Sequence, residues 1–367
     1  MRRVLIVGGG IMGLLAARLL AQQGLKVELL DSGGLGAEAS WAGGGIVSPL
    51  YPWRYAAPVG ELARWSQGYY PQLGTDLSSS TGIDPEVQKT GLYWLDLEDE
   101  ARALAWARTE ERPLVCLPRS EVLERLPMLG ADFARALYLS DLANVRNPRL
   151  LRALQRLLLQ YDNVSLLPGF RVESLLVGRG RVSGVRTASG EEHAADAVVL
   201  TAGAWSGQLL ATLGLDLPVE PVKGQMILYK CAEDFLPAMV LAKGRYAIPR
   251  KDGHILVGST LEHVGFDKTP TAEALASLKA SAEALLPALA EAEVVGHWAG
   301  LRPGSPDGVP FIGEVPQYPG LWLNCGHYRN GLVLAPASCE LLKNLMLGET
   351  PIVDPIPYSP AGRLGPA

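Results

Sequence analysis

The sequence predicts an α/β protein in which a Rossmann-like, parallel-sheet domain is interrupted by an α+β part built on a second, mainly antiparallel sheet. Three observations carry this expectation. A strand, a glycine turn, an apolar-faced helix and a second strand follow one another at the start of the chain. Ala197 to Leu200 is a fully apolar run, the pattern of a strand buried on both faces of a parallel sheet. From Gly91 to Asp141 and from Pro218 to Val295, runs such as Met226 to Tyr229 and His254 to Val257 alternate as half-buried antiparallel strands do.

Taken in order, Val4 to Val7 reads as a buried strand, Met12 to Gln23 as a helix closed by Gly24, and Val27 to Leu30 as a second strand, one βαβ unit. Leu14, Leu15, Leu19 and Leu20 give the helix its apolar surface, and Ala16 and Ala17 permit close approach to a sheet. The aromatic stretch from Tyr51 to Tyr70, with Trp53, Tyr55 and Trp65, fits a lid, an oligomer contact or ordinary packing. Pro148 to Gln160 reads as a helix, and Val164 to Leu167, Val172 to Val177 and Val182 to Thr187 as short strands between glycine turns. Ala197 to Leu200 then returns to the first sheet. Ala272 to Leu289 is helical in spacing, ends at the Pro287 region and covers the second sheet. The first domain is expected to be discontinuous, residues 1–85, 142–217 and 296–367, with 86–141 and 218–295 forming a substrate-binding domain. No linker, repeat or low-complexity tract is visible.

Composition narrows the function classes. A chain of 367 residues suits two intimately joined domains. Apolar residues make up 48% and charged residues 19%, a globular balance, and no run approaches the roughly 20 apolar residues of a membrane span. The net charge of -5 leaves no basic face for nucleic acid or anionic lipid. Arg2 and Arg3 imitate the start of a signal peptide, but Gly8, Gly9 and Gly10 interrupt the apolar run and Arg18 lies in the next one, so a cytoplasmic location is expected. Cys116, Cys231, Cys325 and Cys339 form no C-x-x-C pair and the histidines no H-x-x-x-H spacing, so reduced thiols and no metal are expected.

The first chemical motif is G-G-G-I-M-G at 8 to 13, a G-x-G-x-x-G that follows a strand and opens a helix. Gly8 allows the tight turn, Gly10 the approach of backbone to a pyrophosphate, and Gly13 the packing of helix on strand, with the helix N-terminus facing the negative charge. Asp31, ending the second strand, can accept both ribose hydroxyl hydrogens. FAD and NAD share this fingerprint. The small-residue loop Ala39 to Ile46 points to FAD, because it can lie flat against a bulky ring, with Ser40 available to phosphate and the glycine amides to the ring's polar edge; a flexible linker is the other reading.

These residues, with V-V-L-T-A-G-A-W-S at 198 to 206, P-V-K-G-Q at 221 to 225, Y-A-I-P-R at 246 to 250, H-W-A-G-L-R-P-G-S-P-D-G-V-P-F-I-G at 297 to 313 and G-H-Y-R-N-G-L-V-L-A-P at 326 to 336, resemble the D-amino-acid oxidase family of flavoproteins, and within it the glycine oxidases of bacterial thiamine biosynthesis. The resemblance spans nearly the whole chain. Position by position it implies flavin contacts at Ile11, Met12, Asp31, Ser32, Ala39, Ser40, Gly44, Gly45, Ile46 and Val172, and along His327, Tyr328, Arg329, Asn330, Gly331, Leu332 and Val333. It implies substrate contacts at Tyr246, Arg302 and Arg329.

The residues themselves admit those roles. Arg302, in a run rich in Gly and Pro, can hold a carboxylate bidentately or pair with Asp307 or Glu314. Tyr246, placed before a strand, can donate to the same carboxylate or simply pack. The 326 to 336 segment reads as a glycine turn entering a helix whose amides face the flavin's pyrimidine edge. Arg329 adds charge there or reaches solvent. Thr201 to Trp205, with Gly203, lets the chain pass close to the cofactor or is a plain turn. His327 is read as structural, and Cys325 as unattached, so the FAD is expected to be non-covalent. No side-chain catalytic base is assigned, because the flavin N5 takes the hydride.

The implied activity is oxidative deamination of glycine, sarcosine or small D-amino acids by molecular oxygen, giving keto acid, ammonia and hydrogen peroxide and feeding thiamine thiazole synthesis, in a homotetramer. The alternatives are a D-amino-acid or N-methyl-amino-acid dehydrogenase with another acceptor, and a flavoprotein module of an RNA-modifying enzyme. Gly244, Arg245 and Leu261 stand where bulkier His or Met types are expected around the pocket, which points to a wider one.

Overall fold

A computed structural model of the chain describes residues 2–130 and 132–367. The opening unit is strand β1 (Arg3–Val7), helix α1 (Ile11–Gln22) and strand β2 (Lys26–Asp31). In β1, Val4 and Ile6 pack with the helices on one face while Leu5 and Val7 face a different cluster on the other. This is the two-sided burial of a parallel strand.

The first sheet has six strands in the order 311–314, 321–325, 197–200, β1, β2, 164–168. All neighbours are parallel except the edge strand Phe311–Glu314, which runs antiparallel to Leu321–Cys325. The run Ala197–Leu200 joins it beside β1, as its composition predicts. A three-stranded sheet containing Val172–Gly178 and Arg181–Thr187 lies against one face.

The loop expected at 39 to 46 begins as one helical turn, α2 (Ala39–Ala42), and only then becomes irregular. The aromatic stretch makes a turn at Pro52–Arg54 and then enters α3 (Ala57–Thr81). Trp53 and Tyr70 are buried, each in a different core. These two side chains pack as core residues, while Tyr51, Tyr55 and Trp65 are half-buried.

The second sheet has eight strands, among them β3 (Glu220–Lys230) and β4 (Glu293–Gly304), paired antiparallel along their whole length. It is antiparallel apart from one parallel pair, Met239–Ala242 beside Leu92–Leu95. The domain boundary expected at 295/296 falls inside β4, so residues 296–304 belong to the second sheet. The covering helix runs Ala272–Leu285 and stops short of 289; the Pro287 that closes it starts a separate turn, Pro287–Ala290. It packs on Ile227, Tyr229 and Val257.

The last long helix, α4 (Gly331–Leu347), returns to the first sheet and contains Pro336. Proline cannot donate to the Leu332 carbonyl. The buried Tyr70 phenol of α3 donates to that oxygen instead, at 2.5 Å, and the Ala337 amide finds the Ser66 hydroxyl at 3.0 Å. A helix that starts at the cavity thus keeps the backbone groups around Pro336 satisfied. Among the described residues no helix is long and apolar enough to cross a membrane.

Candidate cofactor and substrate cavity

One cavity of about 860 Å³ runs from β1 and the start of α1 to the inner face of the second sheet. That is the upper end of the range for ligand pockets. Gly8, Gly10, Ile11, Met12, Asp31, Ser32, Ala39, Ser40, Gly44, Gly45, Ile46, Val172, Gly203 and the run His327 to Val333 all line it, as do Tyr246, Arg302 and Arg329. Gly13 does not. It sits behind the wall, where a Cβ would meet the Gly8 carbonyl and lie 3.0 Å from the Thr201 hydroxyl.

At the first end, Gly8 has φ +110, which L side chains rarely adopt, and a Cβ there would strike the Thr201 backbone. Asp31 accepts the Gly9 amide at 2.7 Å and the Gly33 amide at 2.8 Å. Its carboxylate is thereby oriented while lone pairs remain for ribose hydroxyls. Ser40 accepts the Ile11 amide at 2.9 Å, so its hydroxyl proton stays free to donate to phosphate. Two helix starts, those of α1 and α4, open onto the same cavity, and their uncommitted amides favour an anionic or electron-rich ligand.

The α2 segment is fastened to the second sheet as well as the first. Trp298 of β4 donates to the Ala42 carbonyl at 3.1 Å, and a Cβ at Gly300 would lie 2.5 Å from the Ala42 methyl. Arg302 follows two residues on, along the same face of β4. Arg250, buried, donates to the carbonyls of Gly44 at 2.7 Å and Val145 at 3.1 Å and to Asn144 at 3.0 Å. Burial brings its pKa down to about 10. Arg250 escapes sequence reasoning because its partners are mostly backbone oxygens.

Three buried side-chain atoms on the cavity wall have no hydrogen-bond partner within the protein: Asn147 Oδ1, Asn324 Oδ1 and Asn330 Nδ2. Unpaired buried polar groups are costly and therefore rare. These three are closed off by protein, so they take no part in ligand binding; Asp31, Ser40 and the two helix starts are the groups that fit a flavin dinucleotide.

At the other end, Tyr246 lies within the strand Arg245–Pro249 rather than before it. Its hydroxyl donates to the Met226 sulfur at 3.3 Å, and its ring lies beside Gly44. Arg302 lies in β4 rather than in a loop, and pairs with neither Asp307 nor Glu314. Its Nη1 donates to the carbonyls of Lys223 at 3.2 Å and Thr260 at 3.3 Å, and its Nη2 to the Ser259 hydroxyl at 2.7 Å. All three partners are neutral. Desolvation lowers the Arg302 pKa, the nearby Tyr246 phenol opposes the shift, and Arg329 adds to it. Gly224 lets the guanidinium lie on the β3 backbone, since a Cβ there would collide with both Nη atoms.

Gly244, Arg245 and Leu261 do not line the cavity. Strand alternation turns Tyr246 inward and Arg245 away, and Leu261 is solvent-exposed. The pocket is shaped instead by Met226, Ser259, Gly300 and the residues around Tyr328. His327 is structural, as expected: it is buried, its Nε2 pairs with the Ser338 hydroxyl at 3.0 Å, and burial lowers its pKa to about 3. Cys325 is also buried, and its thiol is pushed up to about 12, which disfavours the thiolate needed for covalent attachment.

The chain matches the family described as FAD dependent oxidoreductase over residues 3–345. It is 65% identical to a glycine oxidase of Pseudomonas putida, over 99% of this chain and 100% of that one. Among solved structures it resembles the glycine oxidase of Geobacillus kaustophilus, at 32% identity and a TM-score of 0.93 with both chains covered completely. It also resembles an iminodiacetate oxidase from a Chelativorans species, at 30% identity and a TM-score of 0.87, over 97% of this chain and 98% of that one. The chain therefore belongs to the DAO family of FAD-dependent oxidoreductases.

Proposed function

We propose that this chain oxidises glycine and similarly small amino acids, with sarcosine and small D-amino acids among them, to a keto acid, ammonia (methylamine from sarcosine) and hydrogen peroxide. The observation that carries the reading is Arg302. A guanidinium has five N–H donors, and three here are committed to neutral oxygens. Two remain, the number a carboxylate accepts bidentately.

In this reading the Tyr246 phenol turns from the Met226 sulfur to donate to the substrate carboxylate and Arg329 adds a second positive charge, so the substrate is held by its acid end. FAD, when bound, supplies the two-electron acceptor and passes the electrons to molecular oxygen. The protein's part is to hold the α-carbon beside the ring that would lie on the small-residue wall at Gly44 to Ile46, and to exclude water. Among the titratable lining groups, Asp31 is committed to the glycine turn, and burial lowers the His327 pKa, which makes its imidazole a poor proton acceptor. The reading needs no side-chain base, because the amine reacts in its unprotonated form. The homotetramer, the cytoplasmic location and the place in thiamine thiazole synthesis rest on sequence and family resemblance.

The test is oxygen uptake and peroxide release with glycine, sarcosine, D-alanine and iminodiacetate, without added acceptor. Peroxide from glycine is expected; dye reduction without oxygen uptake would sink the oxidase reading in favour of a dehydrogenase. Acid precipitation should leave the yellow colour in the supernatant, and colour in the pellet would mean a covalent flavin.

Gly224→Ala should raise the KM for glycine by roughly 5- to 150-fold with flavin content unchanged, because overpacking of about 1 to 3 kcal/mol falls on the Arg302 guanidinium. An unaltered KM would show that Arg302 need not lie on β3.

A further inference from the structure

The hydrogen bonds that fix Arg302 come largely from an exposed excursion. Ser259 and Thr260 open the segment that leaves the strand His254–Gly258 and regains regular structure at the helix Ala272–Leu285. Along it Leu261, Val264 and Phe266 are exposed, with Phe266 leaning on the Trp205 ring at 5.7 Å between centroids, so polar contacts carry most of its attachment.

Two lysines hold it: Lys268, on the excursion itself, reaches Glu38 at 2.7 Å, and Lys223, in the P-V-K-G-Q motif, reaches it from β3. The Lys223 backbone pairs with Glu262 in both directions, at 2.9 and 3.0 Å. Its side chain is only 1% exposed and reaches Asp267 at 3.1 Å and Glu262 at 3.7 Å, both on the excursion. Glu262 also accepts from Gln225 at 2.9 Å and from the Thr260 hydroxyl. Gln225 in turn donates its amide to that hydroxyl at 2.8 Å and accepts the Thr271 amide at 2.9 Å. A solvent-excluded ammonium thus joins the excursion to the strand whose own carbonyl, at Lys223, touches Arg302.

We propose that Lys223 is a positioning residue for substrate binding: its buried ammonium clamps the 259–271 excursion to β3, so that Ser259 and Thr260 hold Arg302 aimed at the substrate carboxylate. This rests on the carboxylate-binding role given to Arg302 above. Lys223 is outside the cavity wall and does not touch substrate or cofactor. Removing its charge leaves Arg302 in the protein but loosens two of its three anchors, and leaves Glu262 without its buried counter-charge.

The test uses the FAD-loaded Lys223→Met and Asp267→Asn variants, with two readouts: the steady-state constants for glycine, and the Kd of acetate from the change in flavin absorbance. For Lys223→Met, the KM and the acetate Kd should each rise about tenfold while kcat and FAD content stay within about twofold. Asp267→Asn, at an exposed position, should fold normally and give a smaller rise in both, since Glu262 still meets Lys223. Unchanged KM and acetate Kd in Asp267→Asn and in any folded Lys223→Met protein would overturn the proposal. So would a parallel fall in kcat and FAD content, which marks general loosening. Failure of the wild type to release peroxide from glycine would overturn the functional reading instead, and the acetate titration would still decide the role of Lys223.

Discussion

Arg302→Ala should raise the KM for glycine by roughly 30- to 4000-fold while the protein still purifies yellow. Truncating one member of a desolvated charge pair costs about 2 to 5 kcal/mol, and each 1.4 kcal/mol is about tenfold. The guanidinium is half-buried, and its protein partners are two carbonyls and a hydroxyl, so no protein carboxylate competes for the charge. Loss of the side chain frees those three oxygens near solvent and leaves the flavin end of the cavity intact. Flavin content from absorbance and KM from peroxide release give the two numbers. A KM within a few-fold of wild type would remove Arg302 from substrate binding.

Gly13→Val should yield protein that emerges from gel filtration with less than about one-tenth of its flavin, because a Cβ at this position has no room. The nearest atoms are the Gly8 carbonyl and the Thr201 hydroxyl, and Thr201 itself donates to the Gly8 carbonyl at 2.7 Å. Helix α1 must therefore back away from the turn, taking with it the Ile11 amide that orients Ser40. The cradle opens although none of its lining residues has changed. Flavin content at the wild-type level would show that helix–strand contact at Gly13 is not what shapes the pyrophosphate site.

The first end of the cavity was legible because its chemistry is local. Strand, glycine turn, helix start and Asp31 all fall within one βαβ unit, and each element follows from its own residues. The substrate end was legible only through resemblance. Gly300, Pro303 and Gly304 make the Arg302 run look like a loop, yet pairing with β3 carries the strand through to Gly304; long-range pairing outweighed weak local propensity. The partners of Arg302 and Arg250 are largely main-chain oxygens, which every residue possesses and no motif reveals. Gly244, Arg245 and Leu261 were misplaced for a related reason. The period-two alternation that brings Tyr246 inward sends its neighbour out, and this can be read only once the strand's register is known.

One consequence follows from the shared face of β4. Trp298 and Gly300 grip α2, and Arg302 comes next on that face. Alternate residues of a strand are roughly 6.6 to 6.8 Å apart, so the strand acts as a ruler between the wall against which the cofactor lies and the anchor for its substrate. Point substitutions can alter the grip at either mark, but the interval is set by backbone geometry. Inserting or deleting a single residue between Trp298 and Arg302 would turn the arginine to the opposite face and part the two halves of the site, even with every side chain that lines it retained.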